Sequence, residues 1–209
     1  MRLLLGVAGL LGFGVLLELL PRLGLVSDRF VPPTSRILAD LVTQAREPAF
    51  YAELGVPDTR EGRLEMVMLH AILVVRRLRG EGLAGRELAQ ALFDLMFDDV
   101  DRHMREWGVG DLSVGKHVKR VAQTFYARAG ALEPALQDGG DTQALVTVLA
   151  RNLYGRDEAA GEAGTRRLAG YLAAQAEALD GRPGADLLAG RLLWAPAAIP
   201  PVAAAPVGR

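Results

Sequence analysis

No cysteine occurs in the 209 residues, which excludes a disulfide framework, an iron–sulfur cluster and a thiolate zinc site. Charge of one sign is equally scarce. The formal net charge is -1, so the basic surplus that a nucleic-acid-binding domain needs is missing and DNA is not an expected partner. Runs of alternating apolar and polar residues are absent as well, which argues against a sheet. The most apolar run, Leu3 to Leu17, has 15 positions behind Arg2, short of the roughly 17–25 residues of a spanning helix.

What is present is enough apolar residue, 50% of the chain, to build one core of ordinary size. Residues 1–30 form an apolar N-terminal segment. Arg22, Arg29 and Arg36 outnumber the single Arg2 before it, which favours a membrane anchor through residues 3–20 with the folded part on the cytoplasmic side. A signal peptide and an upstream start codon are the alternative readings. Residues 195–209, APAAIPPVAAAPVGR, carry four prolines and read as an extended or disordered tail.

Between these ends, residues 33–194 read as a single compact all-α domain. Ile37, Leu38, Leu41, Val42 and Ala45 form one helical stripe, and Pro48 opens a short turn of helix with Phe50 and Tyr51. LGVPDT stops that turn. Asp58 with Glu61 resembles a capping box for the next helix, whose segment Leu64 to Leu78 is apolar on nearly every side and therefore belongs at the centre. Arg76, Arg77 and Arg79 sit where cations favour the helix dipole, before Gly80 and Gly82 break the chain. A helix from about Gly85 to Trp107 follows, with Leu88, Leu92, Leu95 or Met96, Val100 and Met104 inward. From near Leu112 the series Val114, Val118, Val121, Phe125, Ala129, Leu132 marks another buried face. Asp141 is placed to cap a helix carrying Leu145, Val148, Leu149 and Leu153, and helices near Arg166 to Leu179 and Ala185 to Leu193 complete the domain.

The stretch GVGDLSVGKHVK, Gly108 to Lys119, nearly spells a nucleotide-binding P-loop. That motif needs a buried strand before its glycines and a magnesium-holding Ser or Thr after its lysine. Here a charged helix end, DDVDRHMREW, precedes it and His117 takes the hydroxyl's place, so the stretch reads as a helix–turn–helix corner. Gly108 suits the left-handed residue that closes one helix, and Asp111 or Ser113 can accept from the free amides that open the next.

Two oppositely charged helices meet at this corner. Asp94, Asp98, Asp99, Asp101 and Glu106 face Arg102 and Arg105 in the first, whereas Leu112 to Leu132 has no acid before Glu133 and carries Lys116, Lys119, Arg120 and Arg128. Lys116, Lys119 and Arg120 share one face by their i, i+3, i+4 spacing. The plainest reading is a solvated face partly paired with the acidic helix; the functional one is a docking surface for phosphate or acidic partners. Asp94 and Asp98 also form D-x-x-x-D, one helical turn apart, which could share magnesium in a helical enzyme acting on isoprenoid diphosphates. Such enzymes need a second acidic helix, and none stands out. His70, His103 and His117 lack metal-ligand spacing, and His70 reads as a hydrogen-bonded core imidazole. Phe50-Tyr51 and Phe125-Tyr126 read as core with one exposed edge. No nucleophile with its base is apparent, and no cofactor, metal or catalytic residue is expected.

The stretches FYAELGVPDT, LFDLMFDD and REWGVGDLSVGK, within Ala45 to Leu78 and Leu88 to Leu132, together with LARNLY from Leu149 to Tyr154, resemble the ubiquinol–cytochrome c chaperone family in its bacterial form. The resemblance covers about Ile37 to Trp194 and leaves out both ends. It implies an all-helical, non-enzymatic assembly factor of the cytochrome bc1 complex that receives newly made cytochrome b; the cytoplasmic side of the bacterial inner membrane is the location expected from the arginines after the apolar run. In mitochondrial relatives this work involves a small helical partner and the ribosome's exit region. The client or ribosome contact is assigned here to Lys116, Lys119 and Arg120, with Asp94, Asp98, Arg105, Glu106 and Asp111 around the corner. The magnesium-dependent isoprenoid enzyme is the competing reading.

Overall fold

A computed structural model describes residues 33–106, 108, 110–137, 142–154 and 158–195, without the side chains of 111, 112 and 158–162. The apolar N-terminal segment, Asp141 and the Pro/Ala-rich tail beyond residue 195 lie outside the described residues. Among those described, every regular element is helical: α1 (Pro33–Ala45), α2 (Pro48–Ala52), α3 (Arg60–Arg79), α4 (Gly82–Glu106), α5 (Asp111–Ala135), α6 (Thr142–Leu149), α7 (Glu158–Asp180) and α8 (Gly184–Leu188). None of these helices is long and apolar enough to cross a membrane.

The sequence of α3 dictates its place. It has almost no polar face between Leu64 and Leu78, so it is stable only where protein covers it on all sides. Of its 20 residues 12 are buried, and α1, α4, α5, α7 and α8 surround it. Its start differs from the expected capping box. Thr59, in extended conformation, is the N-cap and its hydroxyl accepts from the Gly62 amide at 3.1 Å, while Asp58 is drawn off to Arg63 at 2.6 Å. A threonine satisfies the free amide as well as an aspartate does, and the ion pair decides between two adjacent candidates.

The stripe predicted for α5 is the one that packs: Val114, Phe125 and Leu132 are buried, and Val118, Val121 and Ala129 pack partly buried against the core. In α4 the inward positions include Ala89 and Phe97, which the predicted stripe omits, and the helix starts three residues earlier, at Gly82. The helix carrying Leu145 and Leu149 widens into a π turn at Ala150–Tyr154. That turn sends the Tyr154 hydroxyl to the Leu54 carbonyl at 3.0 Å, tying the end of α6 to the loop before α3. α7 begins at Glu158, eight residues before the predicted start, because its first turns (EAAGEAG) carry no large apolar residue to signal a buried face. α8 stops at Leu188, not Leu193. The Arg191 amide folds back to the Asp186 carbonyl at 2.9 Å with Gly190 at φ 75°, a left-handed closure that frees Leu192 and Trp194 to reach the core in extended form.

One charged pair lies inside this packing. Arg128 of α5 donates to Glu65 of α3 at 2.5 Å, with both side chains largely covered. Arg128 is therefore a structural cation, set apart from the exposed basic face of the same helix.

Candidate functional site

Among the described residues, the corner between α4 and α5 is a turn joining two helices, with no strand before its glycines. Gly108 has φ 78° and its amide returns to the Arg105 carbonyl at 3.0 Å, so it closes α4 in the left-handed region that glycine enters without a Cβ penalty. Gly110 then starts α5 with no side-chain cap. Ser113 does not accept from a free amide as expected: its hydroxyl donates to the Gly110 carbonyl at 2.8 Å, because a residue already inside the first turn points its oxygen back along the helix. The Asp111 side chain lies outside the described residues.

Lys116, Lys119 and Arg120 are all exposed on α5, on the face away from Val114, Phe125 and Leu132. The expected partial pairing with the acidic helix does not occur. Among the described residues none of the three has an ion pair, and the pairs that α4 does make run along its own helix: Asp99 lies 4.0 Å from Arg102 and 3.4 Å from His103, and Asp101 accepts from Arg105 at 2.7 Å. Pairs one turn apart form without fixing a second element, which makes them the cheaper arrangement. The result is a cationic face on α5 with no ion pair among the described residues, beside an α4 whose Asp99 and Asp101 pair along their own helix.

Asp94 and Asp98 are both exposed, and Gln90 donates to Asp94 at 2.8 Å. Arg105 and Glu106 end the same helix, exposed. Among the described residues no three acids or histidines come together in a group that could hold a metal ion. The isoprenoid-diphosphate reading thus finds no support, since two carboxylates on one solvated helix face cannot replace the facing acidic pair that such chemistry uses.

The three histidines stay apart, each turned to the carbonyl four residues earlier: His70 to Met66 at 2.7 Å, His103 to Asp99 at 2.8 Å and His117 to Ser113 at 2.9 Å. His70 is the core imidazole the sequence suggests, and it is fully buried. A carbonyl can only accept, so Nδ1 carries the proton and Nε2 accepts from the Tyr171 hydroxyl at 2.8 Å. Gln44 in turn donates to the Tyr171 oxygen at 3.0 Å. Phe50 and Trp194 close around this chain of bonds, their ring centroids 5.7 and 5.3 Å from that of His70. Burial pushes the imidazole down to about 4, with the Met66 bond opposing weakly, so it stays neutral at physiological pH. The relay fastens α1, α3 and α7 together.

Phe125 is buried and Tyr126 is 52% exposed, as their alternation in α5 suggests. What the sequence reading missed is that Phe93 and Phe97 of α4 extend this pair into a four-ring cluster, with Phe93 5.4 Å from Phe125 and 5.3 Å from Tyr126. The signal was the i, i+4 spacing of Phe93 and Phe97.

The family model described as ubiquinol-cytochrome C chaperone matches residues 52–194. The chain belongs to this family. Relatives of the chaperone family include the ubiquinol-cytochrome-c reductase complex assembly factor 1 of Xenopus laevis, 24% identical over 70% of this chain and 72% of the frog protein. The mouse protein of the same description is 24% identical over 77% of this chain, and here the match spans only 54% of the relative's length. A crystal structure of the Cbp3 homolog from Brucella abortus superposes with a TM-score of 0.72 at 35% identity, covering 87% of this chain and 97% of that one. The chaperone-family match begins within α2 and ends at Trp194, so it takes in His70 and Tyr171 of the relay but not Gln44, together with the α4–α5 corner and the cationic face.

Proposed function

We propose that the chain is an assembly factor of the ubiquinol–cytochrome c reductase complex that works by binding alone, holding newly made cytochrome b until other subunits give it better contacts. The observation that carries this reading is the family match over residues 52–194, together with relatives described as assembly factors of that complex. Holding and release require only a difference in affinity between client states, and no reacting group is needed for that. The contact is assigned to Lys116, Lys119 and Arg120, exposed and without ion pairs among the described residues, with Asp94, Asp98, Arg105, Glu106 and Asp111 framing the corner. Cations that hold no ion pair of their own need break none on binding, so this surface is free to meet the acidic loops of a client or the phosphates of a ribosome. Placement at the cytoplasmic face of a bacterial inner membrane, with residues 3–20 as a tether, is part of the same proposal and is supported by the arginines that follow that run.

The test is a strain in which Lys116, Lys119 and Arg120 are all replaced by glutamate. Because all three are exposed and unpaired, the variant should fold with the parent's circular dichroism and melting behaviour. Levels of assembled reductase complex, read on native gels, should nevertheless fall severalfold. A folded variant that sustains normal levels would reject the assignment of the contact to this face.

A further inference from the structure

A groove of about 280 Å³ runs between the C-terminal end of α3, the first half of α4 and the middle of α5. Its floor is apolar: Val75 and Ala89 are buried there, and Phe93 stands against Tyr126 at the rim. Arg79 and Arg86 flank it, one from each side of the Gly80–Gly82 turn. Both guanidinium groups are exposed, neither has a hydrogen bond or ion pair among the described residues, and no acid lines the groove. Glu133 borders the neighbouring shallow pocket past Arg79 without pairing to it.

This combination differs from an ordinary solvated surface. Exposed tyrosine and arginine are the side chains over-represented where binding energy concentrates, and a half-exposed aromatic beside a small apolar hollow provides a seat for one large side chain. Two unpaired cations, with no acid in the groove lining itself, select the sign of the charges beside that anchor. A polyanion such as single-stranded nucleic acid would also like an aromatic face and arginines. It needs a longer basic track, however, and α4 continues from Gln90 into the exposed carboxylates Asp94 and Asp98, which would repel the next phosphates. A short acidic segment ends before that point.

We infer that this groove is a docking site for an acidic protein segment that seats one apolar side chain against Phe93 and Tyr126 between carboxylates held by Arg79 and Arg86. The choice of a protein occupant rests on the assembly-factor reading; the preference for acid rests on the groove. Its lining shares no residue with the Lys116, Lys119, Arg120 face.

The probe is a fluorescein-labelled peptide with a Leu-Phe centre flanked by glutamates, titrated against the full chain by fluorescence anisotropy. The expected result is saturable binding that weakens with added salt and falls about tenfold, some 1.4 kcal/mol, in Arg86→Glu and by a similar factor in Tyr126→Ala. Arg86 lies near the N-terminal end of α4, where a carboxylate is welcome, so the charge reversal leaves the helix intact. Equal binding of the same peptide with lysines for glutamates, or an Arg86→Glu chain that binds like the parent, would overturn the inference. Tighter binding of oligouridylate than of the acidic peptide would overturn it in favour of nucleic acid. Reductase levels are not read in this experiment, so the groove can fail while the assembly-factor reading stands, and the reverse.

Discussion

Replacing Gly164 with alanine destabilises the domain, although helix propensity alone predicts the opposite. Gly164 is in the interior of α7, where alanine is favoured over glycine by about 1 kcal/mol. Here α7 lies directly on the loop between α2 and α3, and a Cβ at Gly164 would stand 2.1 Å from the Leu54 carbonyl oxygen and 3.0 Å from its carbon. Those atoms are backbone, and the loop cannot retreat. Leu54 is buried, and its carbonyl is also held by the Tyr154 hydroxyl, while Arg167 donates to the Glu53 carbonyl at 3.3 Å. Helix and loop must separate, opening the seam beside Phe50 and His70, so the net loss should be about 2–3 kcal/mol. Gly170 provides the control from the same helix. It is exposed with nothing within 4 Å of its would-be Cβ, and Gly170→Ala should gain about 0.5–1 kcal/mol. Urea midpoints of the two variants should move in opposite directions; a Gly164→Ala protein as stable as the parent would show that the helix and the loop do not touch as described.

Acid weakens the parent protein through His70, and a variant without that imidazole loses the effect. The folded-state value lies near 4, below the ordinary 6.5, so between those values the unfolded chain binds a proton that the folded one refuses. The stabilisation is thus complete above about pH 6.5 and drains away as pH falls toward 4. Because the group is fully buried, solvent does not screen the effect, and by pH 5 the loss amounts to about 2 kcal/mol at 1.36 kcal/mol per unit. His70→Phe removes the titrating group but strands the Tyr171 hydroxyl without its acceptor, costing about 1–3 kcal/mol at neutral pH. The comparison is of urea midpoints at pH 7.5 and 5. The parent should fall more steeply than the variant, whereas parallel decline would mean that carboxylates alone drive the acid response.

How much of this was legible in the sequence follows from the range over which each signal acts. The α5 stripe and the all-round apolar character of α3 are local periodicities, and a core that must cover them leaves little freedom, so both were read correctly. His70 could be recognised as a core imidazole from its neighbours on α3. Its partners could not: Tyr171 lies 101 residues away, and Gln44 is 127 residues from Tyr171. Gly164 is one of several glycines in a stretch that shows no apolar face, and only the approach of Leu54 gives it meaning. The cationic face was visible as spacing, but its lack of a partner was not, because acids can pair along their own helix or across to another, and the sequence permits both. Arg128 makes the same point in reverse, counted by sequence among the cations of that helix and found paired with Glu65. The groove at Arg79 and Arg86 is formed by three helices; the sequence explained Arg79 as one of the cations at its helix end, and nothing local joined it to Arg86 across the Gly80–Gly82 turn.

The account depends on a protein that acts by holding a client. The most direct test is the reduced-minus-oxidised spectrum of membranes from a strain lacking the chain, grown where its reductase complex is needed. Loss of most of the b-type haem signal of that complex, with restoration by the full chain, is the predicted result; an undiminished signal in the deletion strain would contradict it.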